Sequence, residues 1–223
     1  MIYDDSKIAI IACVNDKEMY EESLVYIKHL EIPQDMTVEL IQVQQAVSMT
    51  SGYQEAMESS DAKYKIYMHQ DCFPCNRDLL YDLLKLFRSD SSIGMIGVAG
   101  CTKLPAAKPV WWCSSQQYGK VYTKPADEYM HLSDFGEVTA PYISAAVVDG
   151  VFMATQYDLP WRSDLFDGWH FYDVSQSREF INSGYKVVIP RQEKPWLIHF
   201  NKRKILDTAY NKYAGIFMAN YSY

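Results

Sequence analysis

The chain has 223 residues, 48% of them hydrophobic and 14% aromatic, and a formal net charge of −7 at pH 7. This length supports a full hydrophobic core in a single domain, 1–223. The acidic balance argues against general affinity for nucleic acid or anionic lipid. No apolar run reaches the length of a membrane span, and residues 1–20 lack a signal-peptide pattern, so we expect a cytoplasmic protein without an integral membrane segment.

Strand and helix patterns alternate through the first hundred residues. We predict strands at Lys7–Val14, Val38–Val43, Ile66–Met68 and Ile93–Ala99, and helices at Lys17–Leu30, Thr50–Ser60 and Arg77–Arg88. Asp16 is the expected N-cap of the first helix. This alternation predicts a parallel sheet with helices on both faces. The glycine-rich fingerprints of dinucleotide sites and P-loops are absent from the sequence.

The segment Cys101–Pro141 has a different character, with several prolines, the pair Trp111-Trp112 and scattered tyrosines. Helical periodicity is weak there, so short strands and loops are expected. Flat aromatic rings suit sugar faces and other planar ligands, so this segment could line an acceptor site. A hydrophobic lid packed on the sheet explains the same residues equally well.

The remaining elements follow from apolar runs and turn residues. We predict strands at Ala145–Ala154, Tyr185–Ile189 and Pro195–Phe200, and helices after Asp173 and over Lys202–Tyr223. Asp149-Gly150 interrupts the first of these strands, which suggests a bulge or a close backbone approach. Gly184 is the expected C-cap of the helix that begins at Asp173.

Two stretches carry residues suited to chemistry. The strand at Ile66–Met68 ends in His69-Gln70-Asp71, and a carboxylate at the carboxyl end of such a strand could hold a divalent cation and through it a diphosphate. Capping of the strand end explains the same residues. Further on, Asp167, His170 and Asp173 lie within seven residues of one another. Asp173 is expected at a helix N-terminus, where a carboxylate can serve both as cap and as base.

The pair Cys72 and Cys75 has the spacing of a metal or redox site. A zinc site needs a second pair at similar spacing, and the other three cysteines do not form one. We therefore expect reduced cysteines with no joint role.

The order of elements and several motifs resemble the GT-A nucleotide-sugar glycosyltransferases, specifically the family-2-like group. The matching stretches are Ser51–Phe73, Val148–Ala154, Phe166–Pro190 and Leu197–Phe200. The resemblance implies a Rossmann-like α/β fold with a mixed, mainly parallel sheet flanked by helices. It also implies that residues 1–100 bind the nucleotide and residues 101–223 bind the acceptor.

The resemblance assigns roles to individual residues. The D-x-D motif of the family reads His69-Gln70-Asp71 here, so only its last acid is kept, and Asp71 with His199 would hold a Mn²⁺ or Mg²⁺ ion at the diphosphate. Asp173 matches the acid that acts as general base. The nucleotide would lie on Cys13, Val14, Asn15, Gly52 and Gln70. The donor sugar and acceptor would contact Asp149, Gly150, Asp167, Gly168, Trp169 and His170.

The implied function is an inverting transfer of sugar from a nucleoside-diphosphate sugar to an acceptor hydroxyl, in polysaccharide biosynthesis or a related process. A glycan, a lipid-linked glycan or a protein could be the acceptor, and docking on a membrane-bound partner is compatible with the charge. Two alternatives stay open: a non-catalytic nucleotide-sugar or carbohydrate-binding module, and a nucleotidyltransferase on a similar fold. The sequence leaves the oligomeric state open.

Overall fold

The computed structural model describes residues 2–106, 108–200 and 208–222. The strands are β1 Asp4–Val14, β2 Thr37–Gln44, β3 Ala62–Met68, β4 Cys72–Pro74, β5 Ile93–Gly97, β6 Ala99–Cys101, β7 Gln117–Thr123, β8 His131–Gly136, β9 Tyr142–Ser144, β10 Val147–Val148, β11 Phe152–Thr155, β12 Lys186–Pro190 and β13 Leu197–His199. The helices are α1 Lys17–Ile27, α2 Met49–Ser59, α3 Leu79–Ser89, α4 Tyr172–Asn182 and α5 Thr208–Asn220, with a 3-10 turn at Trp111–Cys113. None of the helices in this part of the chain is long and apolar enough to cross a membrane.

The main sheet has seven strands in the order β2-β1-β3-β11-β5-β12-β9. β1 pairs in parallel with β2 and β3, and β12 pairs in parallel with β5. β11 is antiparallel to both β3 and β5, and β9 is antiparallel to β12. Five strands therefore run in one direction and two in the other, which confirms the mixed, mainly parallel sheet.

The sheet is covered on both faces, as the apolar run in β1 predicts. Every residue from Ile8 to Val14 is buried. Ile8 and Ile10 face one hydrophobic cluster, which α3 covers with its leucines, whereas Ala9 and Ile11 face another, to which α2 contributes Tyr53. Alternate side chains of a strand point to opposite faces, so a continuous apolar run is what such a strand requires.

A second, smaller sheet has the order β10-β6-β7-β13-β4, with β8 also paired to β7. It corrects two of the strand predictions. The strand predicted at Ile93–Ala99 divides after Gly97, because the chain passes from the main sheet to the second sheet there. The strand predicted at Ala145–Ala154 divides into β10 and β11, so Asp149-Gly150 lies in a turn between two sheets instead of a bulge within one strand.

The helix predictions are confirmed in position, with corrections at their ends. Asp16 caps α1 by accepting a hydrogen bond from the Met19 N–H at 3.1 Å, and α1 ends at Ile27 instead of Leu30. Asp173 lies in the first turn of α4, which confirms its predicted place at a helix N-terminus, and the N-cap position itself is Phe171. Of the C-terminal helix predicted over Lys202–Tyr223, the structure describes α5, and residues 201–207 and 223 lie outside the described residues.

Candidate functional site

A cleft of about 310 Å³ opens at the carboxyl ends of β1 and β3. Its walls are formed by Cys13, Val14, Asn15, Gln45, Ala46, Met49, His69, Gln70, Asp71, Trp169 and His170. Ligands of open α/β sheets bind outside the carboxyl ends of the strands, which is where this cleft lies. The structure therefore brings together the predicted nucleotide residues at the end of β1, the His69-Gln70-Asp71 motif and the Trp169-His170 pair.

Gln70 connects the two strand ends that form the floor of the cleft. Its side-chain carbonyl accepts hydrogen bonds from the backbone N–H groups of Asn15 at 2.9 Å and Asp16 at 2.8 Å. Its amide group donates to Asn15 Oδ1 at 2.5 Å. These bonds fix the loop after β1 against the loop after β3, because both polar ends of the Gln70 side chain are used within the floor.

Gly52, the remaining predicted nucleotide residue, does not line the cleft. It is buried in α2 directly behind the floor, where a Cβ atom would lie 2.7 Å from Cys13 Sγ and 2.9 Å from the Ala46 Cβ. The absence of a side chain thus lets α2 approach the end of β1. Burial raises the pKa of the Cys13 thiol to about 12, so this floor residue is a neutral thiol near pH 7.

Three side chains form a cluster suited to a cation: His69, Asp71 and His199, whose ligand atoms all lie within 4.8 Å of one another. Asp71 Oδ1 is 3.8 Å from His69 Nδ1 and 3.7 Å from His199 Nε2. Two atoms bound to one cation at bond lengths of 2.0–2.2 Å lie at most about 4.4 Å apart, so both pairs fit a shared ion. The pairing of β13 with β4 brings His199 to this position, with His199 opposite Cys72.

One polar atom of this cluster, on Asp71, lacks a hydrogen bond. Asp71 Oδ1 is buried and has no hydrogen-bond partner within the described part of the chain. Leaving a buried carboxylate oxygen unpaired is costly, and a bound cation would remove that cost. Burial lowers the pKa of His199, while the charge of Asp71 acts in the opposite direction. His199 is therefore a neutral imidazole at pH 7, the form that binds metal ions.

A second pair of acidic residues, Asp149 in the turn between β10 and β11 and Asp173 in α4, lies outside the lining of the cleft. Asp173 Oδ1 accepts a hydrogen bond from the Val174 N–H at 2.8 Å, and its Oδ2 accepts one from the Gly150 N–H at 3.0 Å. Burial raises the pKa of Asp173. Burial and then the charge of Asp173 raise the pKa of Asp149 to about 7. The two predicted carboxylates therefore form a coupled pair that is more basic than ordinary aspartates.

The other predicted residues lie at the rim. The exposed Asp167 accepts hydrogen bonds from Lys212 Nζ at 3.0 Å and from the Tyr213 hydroxyl at 2.7 Å. Tyr213 also packs on Gly168, where a Cβ would overlap its ring. Trp169 is 45% exposed and lines the cleft. Asp167 and Gly168 thus attach α5 to the rim, and neither of them lines the cleft.

The sequence interpretation missed two residues, His69 and Tyr172. The Tyr172 hydroxyl forms a short hydrogen bond with His69 Nε2, on the side of the ring opposite the cation cluster. A histidine in the first position of an acidic metal motif was the available signal for His69, because imidazole is itself a common metal ligand. Tyr172 has no comparable local signal, since its contact depends on how α4 packs against the end of β3.

Comparisons with known proteins agree with this fold. A mannosyltransferase from Pyrobaculum calidifontis, PcManGT, in complex with GDP-Man and Mn²⁺, has a TM-score of 0.53 at 12% identity, over 89% of this chain and 57% of that chain. S. aureus TarS 1–349 in complex with UDP-GlcNAc has a TM-score of 0.59 at 8% identity, over 89% of this chain and 60% of that chain. The chain therefore spans about three fifths of the length of these solved chains.

No curated protein sequence matches the chain. A family model described as "Glycosyltransferase like family" matches residues 9–221, which is nearly the whole chain and includes every residue of the cleft and of both acidic groups. The fold is the GT-A fold of nucleotide-sugar glycosyltransferases, as the sequence resemblance implies. The chain belongs to this glycosyltransferase-like family.

Proposed function

We propose that this chain is a glycosyltransferase that moves a sugar from a nucleoside-diphosphate sugar to an acceptor hydroxyl with inversion. The observation that carries the proposal is one cleft at the carboxyl ends of β1 and β3 that is lined by His69 and Asp71, which form a cluster with His199. Two structural relatives were solved with GDP-Man and Mn²⁺ and with UDP-GlcNAc, which supports a nucleotide-sugar donor.

We assign the nucleoside of the donor to the floor of the cleft. Cys13, Val14 and Asn15 offer a mostly apolar surface, and the Gln70 hydrogen bonds hold it rigid. Gly52 contributes from behind by allowing α2 to pack against Cys13. A surface fixed before binding loses little conformational entropy when the nucleotide arrives, which favours affinity.

We assign the diphosphate to the side of the cleft that is lined by His69 and Asp71, which form a cluster with His199. A divalent cation held there would offset the negative charge that develops on the departing diphosphate. Mg²⁺ prefers an all-oxygen shell, whereas imidazole nitrogens suit transition metals. Two imidazoles and one carboxylate therefore favour Mn²⁺ over Mg²⁺ at this site.

We assign the role of general base to Asp173. Inversion requires one carboxylate that removes the acceptor proton as the hydroxyl oxygen forms its bond to the anomeric carbon and the diphosphate leaves. Each oxygen of Asp173 accepts one backbone N–H, which leaves a lone pair on each for the acceptor hydroxyl. Burial makes this carboxylate more basic than an exposed one, so it is a better proton acceptor.

The acceptor would approach past the rim. Trp169 offers an exposed apolar ring to a sugar face, and His170 lies beside it in the wall. Asp167 and Gly168 would position α5 beside the acceptor through their contacts with Tyr213. This surface suits a glycan, whether free, linked to a lipid or attached to a protein.

A thermal-shift screen with UDP, GDP, CDP and dTDP, each with Mn²⁺ or with EDTA, tests the donor and cation together. A ligand at a hundred times its dissociation constant adds about 2.7 kcal/mol to the free energy of unfolding, which raises the melting temperature measurably. We expect one diphosphate to stabilise the protein with Mn²⁺ and much less with EDTA. The matching nucleotide sugar is then assayed for release of nucleoside diphosphate.

The outcomes separate the proposal from its alternatives. Release of pyrophosphate instead of nucleoside diphosphate would identify a nucleotidyltransferase. Stabilisation by a nucleotide with no release of either product, across a panel of glycan acceptors, would identify a binding module. Absence of any nucleotide effect would overturn the assignment of the cleft.

A further inference from the structure

Tyr172 is the first residue of α4 and its side chain lies between the two acidic groups of the site. Its ring is buried against Tyr53, with ring centroids 6.0 Å apart in an edge-on arrangement. Its hydroxyl reaches His69 Nε2. His69 is one of the three residues of the proposed cation site, so the hydroxyl occupies the position next to the ring nitrogen that does not face Asp71.

The geometry points to Tyr172 as a positioning residue that fixes the tautomer and orientation of His69 for cation binding. A neutral imidazole carries one N–H and one lone pair. His69 Nδ1 can bind a cation only if its lone pair is free, so the proton must be on Nε2. The Nε2–H then donates to the Tyr172 oxygen. Partners of this kind commonly set the tautomer and basicity of histidines that bind metals.

The packing around Tyr172 leaves its ring little freedom. A Cβ at Gly150 would overlap the Tyr172 ring, so a residue without a side chain is needed at this turn. The backbone of the same turn holds His69, whose N–H donates to the Val151 carbonyl at 3.2 Å. It also holds Asp173 through the Gly150 N–H at 3.0 Å. One turn therefore aligns a cation ligand, the residue that orients it and the proposed base.

The substitution Tyr172→Phe tests this inference, which rests on the proposed cation site. It removes the hydroxyl and keeps the ring in its aromatic cluster. We expect the affinity for Mn²⁺ alone, measured by electron paramagnetic resonance of free Mn²⁺, to fall about 10–100-fold. Tyr53→Phe is the matched control, because Tyr53 lies in the same buried cluster and its hydroxyl donates only a long bond, 3.4 Å, to the Met68 carbonyl. Its affinity should equal that of the wild type.

A second readout needs no cation. Long-range ¹H–¹⁵N spectra of the wild-type protein distinguish the two neutral tautomers of each histidine, and the His69→Gln variant assigns the His69 signals. We expect His69 to be the Nε2–H tautomer, and to become a mixture of tautomers in Tyr172→Phe.

The results that would contradict the cation site differ from those that would contradict the role of Tyr172 alone. Absence of Mn²⁺ binding by the wild type would overturn the cation site itself and this inference with it. Equal affinity in the wild type and Tyr172→Phe would overturn this inference alone, and an Nδ1–H tautomer of His69 in the wild type would do the same.

Discussion

Asp71 and Asp173 are both aspartates close to one cleft, and their surroundings differ in a way that separates their roles. Asp71 lies between two imidazoles and keeps one buried oxygen without a hydrogen bond. Asp173 has both oxygens bonded to backbone N–H groups and lies beside a second carboxylate, Asp149. The surroundings of Asp71 leave a buried carboxylate oxygen without a hydrogen bond, whereas those of Asp173 raise the pKa of its carboxyl group. Environment thus suits the first to a cation and the second to a proton.

The sequence departs from the family motifs at two positions, one near Asp71 and one next to Asp173. By the sequence resemblance, His69 stands where the D-x-D motif has its first acid, and Tyr172 stands where the family usually has a glutamate directly before the acid that Asp173 matches. In the structure these two side chains are hydrogen-bonded to each other. Because both departures lie at one contact, the proposed cation site has an imidazole, held by a tyrosine hydroxyl, in place of a second carboxylate. This change leaves Asp71 as the only anionic member of the His69–Asp71–His199 cluster.

Among the substitutions at the two aspartates, Asp173→Asn should lower activity most, because an amide cannot take the acceptor proton. We expect kcat to fall about 10²–10⁴-fold, the usual range for the loss of a general base. Stabilisation by the donor nucleotide with Mn²⁺ should be unchanged, since the floor and the cation cluster are untouched. Steady-state kinetics and the nucleotide thermal shift measure the two effects separately.

The control for this prediction is Asp164→Asn. Asp164 is exposed and pairs with Arg162 through two bonds of 2.8 Å, and it does not line the cleft. Its kcat should match that of the wild type. A kcat for Asp173→Asn within a few-fold of the wild type would remove Asp173 from the role of base.

The substitution Asp71→Asn should have the next largest effect. It removes the only negative charge of the cluster while keeping the size of the side chain. We expect the Mn²⁺-dependent part of the nucleotide thermal shift to disappear and kcat/KM to fall about 10²-fold, within the range for lost electrostatic stabilisation of developing charge. Asp35→Asn, a surface change at the ion pair with Arg88, is the control. Retention of the Mn²⁺ effect would place the cation elsewhere.

Much of this site was predictable from sequence because it depends on strand ends. The apolar run identifies β1, and His69-Gln70-Asp71 directly follows β3. Because β1 and β3 are parallel neighbours, the residues after these two strands lie at the same edge of the sheet. Family motifs added His199 and Asp173. What could not be predicted depends on packing between distant segments, such as the contact of Tyr172 with His69 across 103 positions.

The position at which α4 starts has a similar cause. Phe171 has a φ of +64°, a left-handed conformation that is rare for a large aromatic residue, and α4 begins immediately after it. The ring of Phe171 packs against the rings of Phe166, Tyr210 and Phe217, which come from the preceding loop and from α5. Local sequence predicts a helix from Asp173 onward, and with these tertiary contacts the helix starts one residue earlier, at Tyr172.

The smallest expected effect concerns Asp149 and tests whether the two carboxylates are coupled. Burial and the charge of Asp173 raise the pKa of Asp149 to about 7, whereas its pKa in the unfolded chain is about 3.9. Between these pH values the folded protein holds a proton that the unfolded chain has released. The contribution of Asp149 to the free energy of unfolding therefore falls as the pH rises from about 4 to about 7.

Asp149→Asn removes this dependence, because an amide does not titrate while its Oδ1 can still accept the Val151 N–H bond, which is 3.0 Å long. Relative to the wild type, the variant should gain about 1–4 kcal/mol in free energy of unfolding between pH 4.5 and pH 8, measured by urea denaturation in EDTA. The pH profile of kcat should also lose an ionisation near 7, leaving that of Asp173 alone, because coupled carboxylates titrate as a pair. A stability difference that stays constant with pH would show that Asp149 ionises normally and would contradict the coupling of the two carboxylates.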